Sequence, residues 1–292
     1  MTTLHVVETG DGLPVLALHG WTPDHRLMTG CLEPVFADRP GYRRLYPDLP
    51  GMGHSPATGI NSSDDVLAAL RELIDERIGA EPFLVVGESY GGYLARAVAN
   101  ALPEQVRGLA LICPIGVNLC NEHRTVPEFQ ALRPDPELLA SVDPATAKEF
   151  AEVAVVQNAT TLARFAAEIL PGLQLADTEA MARIKTSWAL SEGPERDAPF
   201  TQPSLIICGR QDDAVGYADQ FALLPHYPRA SFGVLDMAGH NLQIEQPQLF
   251  DTLINEWLDR VESVHCGGSG APVSGGAERT GLQAPNDRSE LG

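Results

Sequence analysis

The chain has 292 residues, of which 44% are hydrophobic, and this is enough apolar material for a sizeable core. Its 39 acidic residues outnumber the 20 basic ones, and with a net charge of -19 it has no basic cluster that would neutralise phosphates. We therefore expect neither a nucleic acid nor a membrane as a partner. The N-terminus lacks the basic start and apolar run of a secretory signal, so the sequence predicts a cytoplasmic protein, and its scattered cysteines are expected to be reduced thiols.

Short apolar runs alternate with amphipathic stretches along most of the chain. Runs typical of buried strands lie at residues 14–18, 82–86, 106–113, 204–208 and 231–235. Apolar residues at helical spacing occur at residues 64–78, 92–102, 217–224 and 246–261. This alternation predicts an α/β fold in which parallel strands are joined by helical crossovers.

The alternation stops between residues 115 and 203. Ala, Glu and Leu dominate there, strand signals vanish, and prolines punctuate short helical pieces. We interpret residues 115–203 as a helical cap inserted into a core domain made of residues 1–114 and 204–262. Residues 263–292 are rich in Gly, Ser, Pro and Ala, and we expect a disordered tail because burial cannot offset its ordering entropy.

The motif Gly-Glu-Ser-Tyr-Gly at residues 87–91 is the strongest functional signal. It follows an apolar strand run directly and leads into a helical pattern, which is the order that a nucleophile elbow requires. Glycines on both sides of the serine allow a strained turn that exposes the hydroxyl. The alternative is a glycine-rich turn whose serine only caps a helix. The flanking strand and helix favour Ser89 as a nucleophile.

A serine nucleophile needs a histidine that accepts its proton and a carboxylate that orients the imidazole. Asp212 follows the strand run at 204–208, and His240 follows the run at 231–235. Carboxyl ends of parallel strands share one edge of a sheet, so both residues are expected beside Ser89. Asp213 is a rival for the acid, because the residues alone do not separate two adjacent carboxylates.

Acyl transfer also needs two backbone N–H groups aimed at the developing oxyanion. Tyr90, directly after the nucleophile, is one predicted donor. The run at 14–18 ends in His19, Gly20 and Trp21, so the N–H of Trp21 is the second. His19 is expected to hold this loop by hydrogen bonds.

These segments resemble signature segments of the α/β-hydrolase fold family, from residue 4 to residue 262 except in the cap: HGW at 19–21, DLPGMGHS at 48–55, GESYGG at 87–92, GRQD at 209–212 and AGHN at 238–241. The resemblance implies a mainly parallel eight-stranded sheet flanked by helices, a helical cap, and hydrolysis without a metal or an organic cofactor. It also favours Asp212 over Asp213, since the family's acid lies in a Gly-x-x-Asp segment after a late strand.

The sequence of the cap does not match that of a particular subfamily of this fold family. Serine at position 89 argues against the dehalogenases and epoxide hydrolases of this fold, which have an aspartate nucleophile there. Proline iminopeptidases typically have Trp after the nucleophile, where this chain has Tyr90. Carbon–carbon bond hydrolases often have Asn before the serine and Trp after the histidine, whereas Glu88 and Asn241 occupy those positions here.

The sequence therefore predicts a serine hydrolase that cleaves an ester or related acyl bond of a small to medium acyl substrate. Carbon–carbon bond hydrolysis and cofactor-free peroxidase chemistry are alternatives on the same fold, and a ligand receptor that lacks catalysis is a third. In the cap, Trp188 and Phe129 are candidates to line the pocket, and Arg124 is a candidate to hold a substrate carboxylate. Glu88 is either a solvent-facing residue or a pocket carboxylate. The sequence indicates no oligomeric state.

Overall fold

The structure is a computed structural model that describes residues 3–196 and 198–266. The last helix continues to Cys266, into the first residues of the predicted tail. The helical pattern of the preceding residues extends past the point where the composition changes. The remainder of the predicted tail, residues 267–292, lies outside the described residues.

In the described part of the chain, one sheet contains seven strands: β1 (Val6–Thr9), β2 (Leu13–Leu18), β3 (Tyr42–Pro47), β4 (Phe83–Glu88), β5 (Val106–Ile112), β6 (Ser204–Gly209) and β7 (Ala230–Leu235). Their order is β1-β3-β2-β4-β5-β6-β7, and only the pairing of β1 with β3 is antiparallel. The predicted α/β fold is confirmed. The expected count of eight strands is wrong for these residues, which form seven. A single short antiparallel strand, β1, precedes the first parallel strand, β2.

Eleven α-helices accompany the strands within the described residues: α1 (His25–Phe36), α2 (Ser63–Arg77), α3 (Ser89–Ala101), α4 (Pro136–Ala140), α5 (Pro144–Val153), α6 (Ala159–Glu168), α7 (Leu170–Leu175), α8 (Thr178–Lys185), α9 (Ala218–Phe221), α10 (Leu242–Glu245) and α11 (Pro247–Cys266). Two 3-10 turns lie at Asn121–His123 and Leu224–His226. None of the described helices is both long and apolar enough to cross a membrane.

The sheet forms the core of the molecule. Strands β4 and β6 are buried at every position, as expected for central parallel strands that helices cover on both faces. Helix α3 packs on β4 and β5, and α11 packs on β5 and β6. This arrangement directs the loops after β2, β4, β6 and β7 to one edge of the sheet.

Helices α4 to α8 all lie between β5 and β6, in the segment predicted to be a cap. Their starts follow local chemistry: Asp143 caps α5, which begins at Pro144, and Asn158 forms a capping box with Thr161 at the start of α6. Phe150 and Phe165 form a separate small apolar cluster with Leu162, Ile169, Leu27 of α1 and Ile244 of α10. The short helices thus pack against the same edge of the sheet that carries the loops. The cap boundaries at residues 115 and 203 stay a prediction.

Candidate active site

The turn between β4 and α3 holds Ser89 in a strained backbone conformation. Ser89 is the first residue of α3 and has φ +52°, in the left-handed region that residues other than glycine seldom adopt. A Cβ at Gly87 would lie 2.4 Å from the carbonyl oxygen of Gly91, and a Cβ at Gly91 would lie 2.3 Å from that of Leu18. Only glycine fits at these two positions, which explains the spacing of the motif.

Two loops at the same edge bring His240 and Asp212 to Ser89. The Nε2 atom of His240 lies 2.9 Å from Ser89 Oγ, and its Nδ1 atom lies 2.9 Å from Asp212 Oδ2. The other oxygen of Asp212 accepts hydrogen bonds from the backbone N–H groups of Ala214 and Val215, each at 2.9 Å. An imidazole that donates from Nδ1 to Asp212 has a free lone pair on Nε2, so it can accept the hydroxyl proton of Ser89.

The two adjacent carboxylates differ in their surroundings. Asp212 is fully buried and contacts His240, whereas Asp213 is exposed. The backbone N–H groups of residues 214 and 215 turn the carboxylate of Asp212 toward the imidazole. The structure therefore places Asp212, and not Asp213, against His240.

Glu88 is a further carboxyl group at the site. It is buried, and its Oε1 atom lies 3.3 Å from the Nε2 atom of His240. Burial raises the pKa of Glu88 to about 7, although the charge of His240 opposes this shift. Burial on its own lowers the pKa of His240, but the charge of Asp212, with those of Glu88 and Asp213, raises it to about 9. Glu88 and His240 therefore form a coupled pair that titrates in the neutral to alkaline range.

The loop after β2 lies directly against the elbow. His19 is fully buried, with its Nδ1 atom 2.7 Å from the carbonyl oxygen of Gly20, while its Nε2 atom accepts a hydrogen bond from the N–H of Leu49 at 2.9 Å. These contacts fix the tautomer with the proton on Nδ1, and burial lowers the pKa of His19. A Cβ at Gly20 would lie 3.0 Å from the Cβ atom of Ser89. The loop thus approaches the nucleophile as closely as its residues allow.

Three aromatic rings connect this loop to the segment between β5 and β6. The ring of Trp21 meets the ring of Tyr90 edge-on at 5.1 Å, and the ring of Tyr90 stacks on that of Trp188 at 4.5 Å. The hydroxyl of Tyr90 donates to Ser63 Oγ at 2.8 Å, and Ser63 Oγ donates to the carbonyl of Trp188 at 2.7 Å. Trp21 and Tyr90 are thereby held beside Ser89. Their role as oxyanion donors stays a prediction.

Two cavities flank His240. The first, the Ser89 cavity, has a volume of about 460 Å³ and is lined by Ser89, Trp188, Arg124 and Lys185 among others. The second, the Glu88 cavity, has a volume of about 250 Å³ and is lined by Glu88 together with apolar residues of α1, α6 and α7 and with the exposed Glu149 and Glu152. Trp21 and His240 line both cavities. They separate the side that contains the nucleophile from the side that contains the buried carboxyl group.

The three cap residues predicted to bind substrate have different positions. Trp188 lines the Ser89 cavity. Arg124 also lines it, but its guanidinium donates to the carbonyl oxygens of Asn118, Leu119 and Ala214, so it braces the surrounding loops. Phe129 is half-buried in an irregular stretch and is not among the residues that line either cavity. The structure therefore does not bring Phe129 to the site, and it gives the Arg124 guanidinium partners other than a substrate.

Glu245 was not identified from the sequence. Its carboxylate accepts hydrogen bonds from the backbone N–H groups of Gly239 at 2.6 Å, Val155 at 2.6 Å and Val156 at 3.2 Å. Burial raises the pKa of Glu245 to about 7. The residue ties the loop that carries His240 to the chain between α5 and α6. Its only sequence signal is a glutamate five positions after a histidine, and that pattern is common on helices.

The comparison with family models identifies the class of protein. The model of the alpha/beta hydrolase family matches residues 15–252, so the chain belongs to that family. Among solved structures, an alpha/beta superfamily hydrolase from Oenococcus oeni PSU-1 superposes with a TM-score of 0.82 at 30% identity, covering 89% of this chain and 97% of the other. The fold and the family were therefore both predicted correctly from the sequence.

Curated relatives catalyse more than one kind of hydrolysis. A 2-hydroxymuconate semialdehyde hydrolase of Pseudomonas putida is 28% identical, covering 90% of this chain and 92% of the relative. A pimeloyl-(acyl-carrier protein) methyl ester esterase of Shewanella woodyi is 26% identical, covering 89% of this chain and 99% of the relative. These relatives support hydrolysis as the class of reaction and leave the substrate open.

Proposed function

We propose that the protein is a serine hydrolase that cleaves an ester or related acyl bond through an acyl-enzyme on Ser89. The observation that carries this proposal is the continuous hydrogen-bonded chain from Ser89 Oγ through His240 to Asp212, with both links at 2.9 Å. The strained elbow supports it, because strain at a serine that starts a helix has no evident structural benefit.

In the first half of the reaction, His240 Nε2 takes the proton of Ser89 while Oγ attacks the substrate carbonyl. Asp212 stabilises the imidazolium through Nδ1. The backbone N–H groups of Trp21 and Tyr90 stabilise the oxyanion of the tetrahedral intermediate. The imidazolium then protonates the leaving group, and its departure leaves the acyl-enzyme. In the second half, His240 activates a water that releases the acid.

The Ser89 cavity supports a small to medium substrate. Its volume of about 460 Å³ is within the range of sites that enclose a small molecule. Residues 115–203 act in this proposal as a cap, since Trp188 forms part of the wall opposite the nucleophile. The acyl group or the leaving group would lie between Trp188 and His240.

Carbon–carbon bond hydrolysis is the second candidate. The observation that favours it is the similarity to the 2-hydroxymuconate semialdehyde hydrolase over 92% of that relative. Such a reaction would use the same Ser89 and His240, so the triad does not separate the two activities. Glu88 and Asn241 favour the ester reaction, because they occupy positions where carbon–carbon hydrolases often have Asn and Trp.

A substrate panel tests the proposal. Purified protein is assayed with short-chain p-nitrophenyl esters, with aliphatic methyl esters and with 2-hydroxymuconate semialdehyde. We expect turnover of at least one ester class, with kcat/KM well above that for the semialdehyde. Exclusive turnover of the semialdehyde would instead establish the second candidate. If a folded sample hydrolysed none of these compounds, a ligand receptor without catalysis would become the better explanation.

A further inference from the structure

Four residues outside the proposed active site form a compact group, which we call the Asp48 cluster: His5, His25, Asp48 and His54. Three different parts of the chain contribute. His5 precedes β1, His25 begins α1, and Asp48 follows β3 together with His54 in the next loop. The antiparallel register of Val6 with Pro47 places His5 beside Asp48, and the N–H of Asp48 donates to the carbonyl of His5 at 2.9 Å. The mechanism above uses none of these side chains.

The donor atoms of the cluster converge. The Nδ1 atom of His5 lies 2.9 Å from Asp48 Oδ2, and the Nδ1 atom of His25 lies 2.8 Å from Asp48 Oδ1. The three ligand atoms offered by His5, His25 and Asp48 all lie within 4.8 Å of one another. The ring of His54 lies 5.1 Å from that of His5. Two imidazoles thus contact one carboxylate, and a third imidazole lies next to the ring of His5.

The carboxylate is also oriented by the backbone. The N–H of His25 donates to Asp48 Oδ1 at 2.8 Å, and the N–H of His54 donates to Oδ2 at 2.9 Å. The Asp48 side chain is fully buried, while the side chains of His25 and His5 are 12% and 38% exposed. The cluster therefore has a fixed, charged base and an accessible rim. Backbone bonds of this kind hold the ligands of metal sites in place.

We propose that the Asp48 cluster binds a zinc ion. Imidazole nitrogen and carboxylate oxygen at about 2 Å from the ion are ordinary zinc ligands, and two ligands that share an ion lie about 3 to 4 Å apart. A small movement of the half-exposed His5 brings the three atoms into that range. The ion takes the place of the Nδ1 protons between the imidazoles and Asp48, and each proton moves to Nε2. His54 or a water completes the tetrahedron.

The ion would brace the loop next to the nucleophile without taking part in the reaction. Asp48 is followed directly by Leu49, whose N–H donates to His19, and His19 in turn contacts Gly20 beside Ser89. The N–H of His5 donates to Ser55 Oγ at 2.8 Å. The loop at residues 48–55, which contacts His19 through Leu49, is therefore held at both of its ends. Zinc bound at the cluster therefore stabilises the segment that carries Trp21. The expectation that hydrolysis needs no metal is unaffected.

The test is a calorimetric titration of zinc into metal-free, full-length protein without an affinity tag. We expect one ion per chain, and an affinity about tenfold or more weaker in His5→Gln and in His25→Gln. Two matched controls should bind as the wild type does. His123→Gln removes an exposed histidine, and His240→Gln removes the histidine of the second group of possible ligands, Cys113, Asp212 and His240.

Thermal unfolding keeps the test decisive if a variant loses stability. Zinc should raise the melting temperature of the wild type and of His123→Gln by the same amount, and that of His5→Gln by less at the same zinc concentration. Absence of binding to the wild type would show that the cluster is a hydrogen-bond network only. If His123→Gln or His240→Gln lost as much zinc affinity as His5→Gln, the ion would be bound at other residues. Either result overturns the proposal and leaves the proposed hydrolysis untouched, because that is measured by ester turnover.

Discussion

The two cavities beside His240 share Trp21 and His240 as lining residues, and they differ in the chemical group that each places next to the imidazole. The Ser89 cavity contains the nucleophile and is bordered by loops after β5 and β6, with Arg124 and Lys185 in its lining. The Glu88 cavity contains no nucleophile, and its lining combines carboxyl groups with apolar helices. The same imidazole is therefore reached from two sides, by a reacting hydroxyl and by an ionisable carboxyl. In our account only the first side carries the covalent reaction.

The largest effect is expected when the Ser89 cavity loses its nucleophile. Ser89→Ala should lower kcat for a p-nitrophenyl ester by about 10⁵-fold, because His240 then has no hydroxyl to activate. Cys120→Ala is the matched control, since it removes a thiol from the lining of the same cavity and should leave kcat unchanged. Initial-rate kinetics measure both. Equal rates for Ser89→Ala and wild type would contradict the assignment.

A slightly smaller loss is expected from the carboxylate behind the imidazole. Asp212→Asn should lower kcat by about 10⁴-fold, because an amide in that position no longer selects the tautomer with a proton on Nδ1. Asp213→Asn removes an adjacent, exposed carboxylate and should stay near wild-type activity. The comparison of the two kcat values is the measurement. A larger loss in Asp213→Asn would reverse the assignment of the acid.

A loss of stability is expected from Glu245, which ties the loop that carries His240 to residues 155–156. Glu245→Gln replaces an acceptor of three backbone N–H groups by an amide that can satisfy fewer of them. We expect the free energy of unfolding to fall by about 2 kcal/mol. Denaturant titration measures this, with the exposed Glu152→Gln as the control. An unchanged midpoint would show that the tie between the His240 loop and residues 155–156 contributes little.

The smallest predicted effect concerns the pH profile. Ionised Glu88 favours protonated His240 and so raises the pKa of the imidazole, which must be neutral to act as a base. Glu88→Gln should therefore lower that pKa and move the acid limb of kcat/KM about one pH unit toward lower pH. Glu149→Gln, an exposed carboxyl of the same cavity, should leave the profile in place. A profile that does not move in Glu88→Gln would mean that the carboxyl is not coupled to the base.

The parts of this site that the sequence could predict are local. All parts of the nucleophile elbow lie in one continuous segment, since the strand, the glycines, the serine and the helix follow one another along the chain. Asp212 and His240 could be expected near Ser89 because parallel strands end at a common edge. The chemistry of the two adjacent aspartates does not show which one faces inward, since that depends on the backbone N–H groups of Ala214 and Val215, and only the family resemblance favoured Asp212.

What the sequence could not show depends on contacts between distant segments. The contact of Glu88 with His240 joins two loops of the sheet edge, and the partners of the Arg124 guanidinium are backbone carbonyls that have no residue signature. Phe129 is a large apolar residue of the kind that often lines a pocket, but it lies in an irregular stretch and lines neither cavity. The Asp48 cluster depends on the antiparallel strand β1, which alternation of strands and helices did not predict.

The central claim is that Ser89 forms a covalent bond during turnover. The most direct measurement is reaction of the wild-type protein with a fluorophosphonate, followed by digestion and mass spectrometry of the modified peptide. Our account predicts one adduct, located on Ser89 and absent both from His240→Gln and from protein denatured beforehand. An adduct on another residue, or none in a sample that hydrolyses esters, would contradict it.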